Sequence, residues 1–595
     1  MFNLQYALSQ HQQGDFNQAE IVYRQLFLEN KGDINVNLYL GVLLLQTKRA
    51  QEALEFLQRA YDFQPKNSQI ISSLSDCLFA INRVEDAIRI IEAEAVNHSD
   101  LAIKHLDLLN AKGDVELSFI QNKFEIYESI WPTNLLLKTK LASIAKQKGE
   151  LIYAKNMYES IIKLAPNRKS SLHNLAVVER LLKNPSRALV YLKKVASLGD
   201  DSFQLHHNLG NAYTDVSNLV DAVKHYKLAI ERNPHFEDSY RNLTQILFEL
   251  GDVEGAIKPY QEAMQKGHVS ESLVLGYCDN LIQLKRYDAA SQLIDKFYSQ
   301  LHNQDAIRFR LAKIQFGQGN LLLASETLEN IVSLPAKQLL CMYKLQLGDA
   351  NSAKELALEL ISDKTYRVVG KAYYAVAQRL LGEKEYIKSF CNYSKLVQTY
   401  DLPINFNGSE SNVFCNELSA YLKAIHQTNL APLFQTLTSG TQTKGDILSS
   451  SNYLIQKLKM FFDECIKSYG LGLNELSSEH EFIPKPFDNH QFVASWSICL
   501  NDKGFHSSHV HPEGNLSAVF YVSLPDVIGE ESDMGHLVFG KPNFEVPSNL
   551  EYEYKIKPKV GRLVVFPSYC WHGTIPFSSD EQRLTIAFDI ISKAN

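Results

Sequence analysis

The chain has 595 residues, with 60 Lys and Arg against 67 Asp and Glu and a formal net charge of −7. A single core does not grow to that length, so two to four domains are expected. The mild charge, without a dense Lys/Arg stripe, speaks against a nucleic-acid binder, and 45% hydrophobic residues with 10% aromatics exclude a disordered chain.

In chain order, the first segment, Met1 to Asp15, has no basic stretch followed by an apolar one, and no run of about 18 apolar residues occurs anywhere. Neither a secretory signal nor a membrane span is expected. The eight cysteines, at 77, 278, 341, 391, 415, 465, 499 and 570, form no C-x-x-C pair. Buried free thiols in a reducing cytoplasm are the expectation.

The first two thirds repeat. Ala19, Ala53 and Ala87 stand 34 residues apart, and Ala154, Ala188, Ala222, Ala256, Ala290 and Ala324 continue at that step. Leu141, Leu175, Leu209, Leu243, Tyr277 and Leu311 form a second column in phase with the first. Gly149, Gly251 and Gly319 fall at turn positions, and Pro166 and Pro234 at unit ends. The best unit runs Leu209-Gly210-Asn211-Ala212-Tyr213, then Ala222, Tyr226, Ala229 and Pro234. It resembles the tetratricopeptide repeat, a helix pair of period 34 with small residues where the helices cross. Such units bury their apolar faces only by stacking, so a solenoid over residues 1–398 is expected, with a peptide or protein partner in its groove. Units near 101–134 and 339–398 depart from the pattern, and helices are expected to continue to about residue 398. His206 and His207 diverge by about 100° on a helix and read as packing or surface residues.

Composition changes near residue 400. Asp401 to Ser409 reads as a linker with turn residues. Helices are expected around 411–427 and 449–469, with a polar loop from Gln435 to Thr443 between them. From 490 onward the runs are short, β-branched and aromatic: Phe492 to Leu500, Leu516 to Val522, Arg562 to Phe566 and Arg583 to Asp589. Strands without intervening helices predict an antiparallel sandwich or barrel of jelly-roll type.

The chemistry concentrates in this last part. His509 and His511 stand at i and i+2, on one side of a strand if the segment is extended. His572 from a distant strand can complete a three-ligand face on a metal, and Arg583 can hold an anion.

These pieces resemble the Fe(II)- and 2-oxoglutarate-dependent oxygenases, in particular the oxygenase domain found behind tetratricopeptide repeats in bacterial proteins. The likeness rests on His509-x-His511, on Gly561 to Pro567, on His572 and on Arg583-x-Thr585. The fragments Gly440 to Thr443, Ser495-Trp496-Ser497, Gly504 to Pro512, Phe566 to Thr574 and Arg583 to Asp589 share it. It implies a double-stranded β-helix with flanking helices over residues 399–595, the β core lying at about 490–595.

The resemblance further implies Fe(II), 2-oxoglutarate as co-substrate and O₂. His509 and His572 match the two family histidines, and His511 occupies the slot where a carboxylate is usual. Three ligand sets stay open. His511 ligates and the face is all imidazole; or His511 and Glu513 form the pair with His509 behind them; or the site is one where only two residues bind or where His511 contacts substrate. Arg583, 11 residues after His572 on a strand expected to run beside it, would hold the distal carboxylate of 2-oxoglutarate, a task its planar fork suits. Thr585 adds a hydroxyl on the same face. Tyr521 and Trp496 lie on strands expected to line the cavity, as co-substrate contacts or as core. Gln442 and Thr443 are candidates to meet substrate.

The function expected is therefore a 2-oxoglutarate-dependent dioxygenase acting on a polypeptide or another macromolecule-linked substrate brought by the repeats. A three-histidine dioxygenase that needs no 2-oxo acid explains His511 but leaves Arg583 without a partner. A non-catalytic scaffold with a degenerate barrel is the remaining alternative.

Overall fold

The computed structural model describes residues 3–384, 390–406, 408–426, 436–443, 446–475, 487, 489–528 and 532–592. A helical tetratricopeptide-like solenoid is followed by a C-terminal region of antiparallel sheets. No described helix is long and apolar enough to cross a membrane, and all eight cysteines are free and buried.

The 34-residue period becomes helix pairs, of which Phe203–Asp215 and Leu219–Arg232 are one. Ser202 caps the first helix by accepting from the Leu205 N–H, and Asn218 caps the second through the Asp221 N–H. The helices cross closely at Gly210, where a Cβ would stand 2.6 Å from the Tyr226 ring. Each turn needs one residue in the left-handed region, and that residue also recurs every 34 positions. It is Gly14, Lys48 and Asn82, then Gly149, Lys183, Ser217, Gly251, Lys285 and Gly319. Glycine takes this conformation freely, whereas the other side chains strain in it.

Where the period slips, the helices persist. Ser99–Ala111 and Leu117–Ile130 still pair, and the irregularity falls on Val84–Glu92, nine residues long where Ala50–Phe63 before it and Leu117–Ile130 after it have 14. Beyond Ala324 come Leu334–Gln346, Ala350–Ser362 and Arg367–Leu381.

By its contacts the chain divides into two compact units, Met1–Asp200 and Asp201–Asn595. The change from helix to sheet near residue 398 lies within the second, because the last helices pack on the sheets. Trp571 shares a buried cluster with Val369, Ala372, Tyr373 and Val376.

Eleven strands are described: β1 Gln398–Asp401, β2 Asn405–Phe406, β3 Ser409–Glu410, β4 Leu437–Gln442, β5 His490–His506, β6 Leu516–Ser523, β7 Leu537–Phe539, β8 Tyr554–Ile556, β9 Arg562–Pro567, β10 His572–Thr574 and β11 Arg583–Ser592. One sheet has the order β1-β9-β6-β11-β5-β4, a second β10-β7-β8, and β2-β3 form a hairpin. Every pairing is antiparallel.

β11 shows how the sequence shapes this region. Leu584, Ile586, Phe588 and Ile590 are fully buried in the main core, where Phe588 stacks on Phe462 of the helix Tyr453–Glu475 at 4.5 Å. Arg583, Thr585, Ala587 and Asp589 alternate with them and face a cavity.

Three expectations are corrected. The segment from Asp401 to Ser409 is not a plain linker: β1 ends in it, as the edge strand paired with β9, and β2-β3 follow. The stretch read as a polar loop forms edge strand β4, in which Gly440 is needed because a Cβ would meet the Cys499 carbonyl at 2.5 Å; Gln435 lies outside the described residues. And β11 does not run beside the His572 strand. It pairs with β5 and β6, whereas β10 pairs with β7 in the other sheet, so Arg583 and His572 reach the cavity from different sheets.

Candidate metal centre

A cavity of about 430 Å³ is lined from both sheets, by residues of β5 and β11 on one side and by Leu537 and His572 on the other. Its histidines come from two places. His572 opens β10, and His509 follows the end of β5. The expected strand under His509 and His511 is absent, because β5 stops at His506. An isolated bridge does the work instead: the His509 N–H donates to the His572 carbonyl at 2.8 Å and the His572 N–H to the His509 carbonyl at 3.1 Å. The His511 N–H donates to the Ser568 carbonyl at 3.1 Å.

These backbone bonds bring the three rings together. Centroids are 4.3 Å apart for His509 and His572, 5.0 Å for His509 and His511, and 5.1 Å for His511 and His572. One nitrogen of each ring lies within 4.8 Å of the others, the only such metal-ligand cluster among the described residues. Nδ1 of His509 faces the Ser507 carbonyl at 2.9 Å, and Nδ1 of His572 faces the Cys570 carbonyl at 2.9 Å. A carbonyl only accepts, so each Nδ1 carries the hydrogen and each Nε2 keeps its lone pair. His511 Nδ1 faces the Asp589 carboxylate at 2.8 Å, which frees its Nε2 in the same way.

Burial, reinforced by the neighbouring imidazoles, pushes His509 down to about 3 and His572 well below the ordinary histidine range. Three imidazoles with one nitrogen each converging on a common point form a donor set that fits a divalent metal.

The cavity also holds a buried cation. Arg583 is 3% exposed, its Nε and Nη1 have no hydrogen-bond partner among the described residues, and its guanidinium carbon lies 5.2 Å from the centre of the Tyr521 ring. An unpaired buried charge is costly, so the site suits an anionic ligand. His506 adds a buried Nε2 without a partner among the described residues.

Comparison with known proteins fits this geometry. Residues 494–589 match the family model described as "Putative 2OG-Fe(II) oxygenase", where 2OG is 2-oxoglutarate. Tetratricopeptide-repeat models match residues 44–94, 6–68 and 207–267. The chain carries tetratricopeptide repeats and a C-terminal domain of this oxygenase family. Among solved structures, a tetratricopeptide repeat protein from Parabacteroides merdae ATCC 43184 is 14% identical, with TM-score 0.33 over 41% of this chain and 97% of that one. Yeast Tom70 is 15% identical, with TM-score 0.36 over 66% of this chain and 98% of its own. No curated protein matches.

In the oxygenase-family domain the residues singled out from sequence distribute unevenly. His509, His511, His572, Arg583, Thr585, Gln442 and Trp496 all line the cavity, Trp496 stacked on His511 at 5.7 Å. Glu513 lines it too, but exposed at the rim and outside the cluster of converging ligand atoms. Tyr521 is fully buried behind Arg583. Thr443 does not line the cavity; its hydroxyl accepts from the Ser497 N–H at 2.9 Å and holds β4 to β5.

Sequence reasoning gave no role to His506, Asp589 or Ser517, which line the same space. Asp589 shares the strand parity of Arg583 and Thr585, a pattern that points it inward.

Proposed function

We propose that residues 399–595 act as a non-haem Fe(II) dioxygenase that uses 2-oxoglutarate and O₂, and that the repeats of residues 1–398 recruit a polypeptide or other macromolecule-linked substrate. The observation that carries this reading is the presence, in one cavity, of three converging imidazoles and a buried Arg583 whose Nε and Nη1 have no partner among the described residues.

His509, His511 and His572 would hold the metal, and Glu513 stays out of the ligand set. Fe(II), when bound, supplies the oxidising chemistry by which one O₂ is divided between 2-oxoglutarate, released as succinate and CO₂, and a substrate C–H bond that becomes C–OH. The chain itself binds and orients. Arg583 offers the hydrogens of Nε and Nη1, unpartnered among the described residues, to the distal carboxylate, and Thr585 lines the same cavity. Apolar walls from Ile498, Leu500 and Leu537 exclude water around that anchor, which strengthens each polar contact inside. Trp496 and Gln442 border the remaining space, where substrate would lie.

The histidine in the carboxylate slot favours a second reading, a three-histidine dioxygenase independent of any 2-oxo acid. Arg583 argues against it, since that cation would then face no anion among the described residues. The test is succinate formation by the purified chain with Fe(II), 2-oxoglutarate and air. Succinate formation abolished by His572→Ala and by Arg583→Ala supports the first reading. Oxygen consumption without 2-oxoglutarate selects the second.

A further inference from the structure

We propose that Asp589 is a positioning residue that supplies, through His511, the negative charge which the three-histidine face lacks; this rests on the iron reading above. The three imidazoles are not equivalent. His509 and His572 give their Nδ1 hydrogens to neutral backbone carbonyls, of Ser507 and Cys570. His511, the residue in the unusual slot, gives its hydrogen to a carboxylate, with Nδ1 2.8 and 3.0 Å from the two oxygens of Asp589.

That carboxylate is built into the fold rather than borrowed from the surface. Asp589 is 4% exposed and, among the described residues, His511 is its only ion-pair partner. Ser517 donates its hydroxyl to Asp589 at 2.7 Å, and the Ser568 hydroxyl lies 2.9 Å from that of Ser517. Ser568 also accepts the His511 N–H, so one small network fixes both the ring and its partner. Trp496 stacks on His511 with planes 16° apart. The tryptophan fixes the plane of the ring, and Asp589 fixes its rotation within that plane.

The charge count follows. Three neutral imidazoles carry none, and two imidazoles with a ligating carboxylate carry −1. Three imidazoles with Asp589 bonded to one of them carry −1 again, moved outward by the width of one ring. A carboxylate behind a ligating imidazole makes the outer nitrogen a stronger donor, and in a dry site its charge is felt by the cation.

The test is anaerobic titration of the full-length chain with Co(II), read by its visible absorption. Asp589→Asn keeps an acceptor for His511 and a partner for Ser517 but removes the charge. It is expected to weaken Co(II) binding by about 10- to 100-fold and to alter the absorption band, with metal-free melting unchanged. Asp589→Ala loses orientation as well and should bind more weakly still. Unaltered affinity in Asp589→Asn overturns the proposal while leaving the iron reading intact; no Co(II) uptake by the unaltered chain overturns both. If Asp589→Asn fails to fold, His511→Asp with and without Asp589→Asn decides. With a carboxylate already in the ligand slot, neutralising Asp589 should strengthen Co(II) binding, and weaker binding there sinks the idea.

Discussion

Trp571 donates its indole N–H to the carbonyl of Ala372 at 3.1 Å, joining positions 199 apart in the chain. The residue after Trp571 is His572, so the helix Arg367–Leu381 holds the segment that delivers one ring of the candidate metal centre. Tyr569 adds a hydroxyl bond to the Phe390 carbonyl at 3.0 Å, and Arg379 reaches the Gly540 carbonyl and Glu553. The helices just before residue 398 thus pack on the C-terminal sheets. A fragment 399–595 strips the cover from Trp571 and is expected to be less stable than 332–595 by about 3–5 kcal/mol, the usual cost of a vacated large aromatic site. Urea unfolding of the two fragments checks this, and equal midpoints with equal slopes would refute it. Trp571→Phe in the full chain should cost about 1 kcal/mol, the worth of one hydrogen bond.

On the 2-oxoglutarate reading, Arg583 is expected to trade stability against binding. Its buried guanidinium, without a carboxylate partner among the described residues, is pushed below its ordinary range by burial. Arg583→Met is expected to raise the stability of the ligand-free chain by about 1–3 kcal/mol. The same change should weaken 2-oxoglutarate binding by about 100-fold, since charge-assisted hydrogen bonds are worth about 1.5–3 kcal/mol each. Thermal unfolding measures the first effect and calorimetric titration with Mn(II) present the second. A destabilised variant with unchanged affinity would show that Arg583 serves the core instead.

The left-handed turn positions predict gains in the repeats. Lys183 and Ser217 hold φ values of 64° and 59°, where Gly149 and Gly251 hold the same place in their units. Lys183→Gly and Ser217→Gly should each stabilise the chain by about 0.5–1 kcal/mol, the relief of strain exceeding the entropy cost of glycine. Gly251→Ala should lose about 1 kcal/mol. Denaturant midpoints report all three changes.

The first unit should weaken in mild acid. His105 is 1% exposed and bonded to the Tyr127 hydroxyl, and burial pushes it down to about 4. A base whose folded value lies below its unfolded value of about 6.5 is protonated first in the unfolded chain. Its stabilising contribution is therefore complete above about pH 6.5 and falls as pH drops toward 4, by an amount on the order of 2–3 kcal/mol. His105→Gln should flatten that part of the stability–pH curve. A variant whose curve keeps the unaltered slope between pH 6.5 and 4 would rule this out.

Periodicity made most of the architecture legible. Ala222 and Gly210 sit at their helix crossing because the spacing of small residues repeats what close packing needs at every unit, and that need is local. The cavity-facing parity of Arg583 and Thr585 was legible too, because alternation along a strand is local as well. Strand neighbours were not. Whether β11 lies beside β10 or across from it depends on which edges pair, and both arrangements suit the same alternating pattern. Likewise β4 read as a loop because an edge strand beside a cavity tolerates the polar and glycine residues that usually mark turns.

His509 and His511 show the division most clearly. The sequence alone placed two imidazoles at i and i+2, and named His572 as a third, through residue type, spacing and family likeness. Only the tertiary structure decided that a bridge between His509 and His572, and not a continuous strand, brings the rings together. Only it placed Asp589, 78 positions from His511, behind the ring that stands where a carboxylate was expected. Spacing along the chain fixes which side chains share a face, but charge acts through space, and the partner of His511 is set by how β11 folds back beside it.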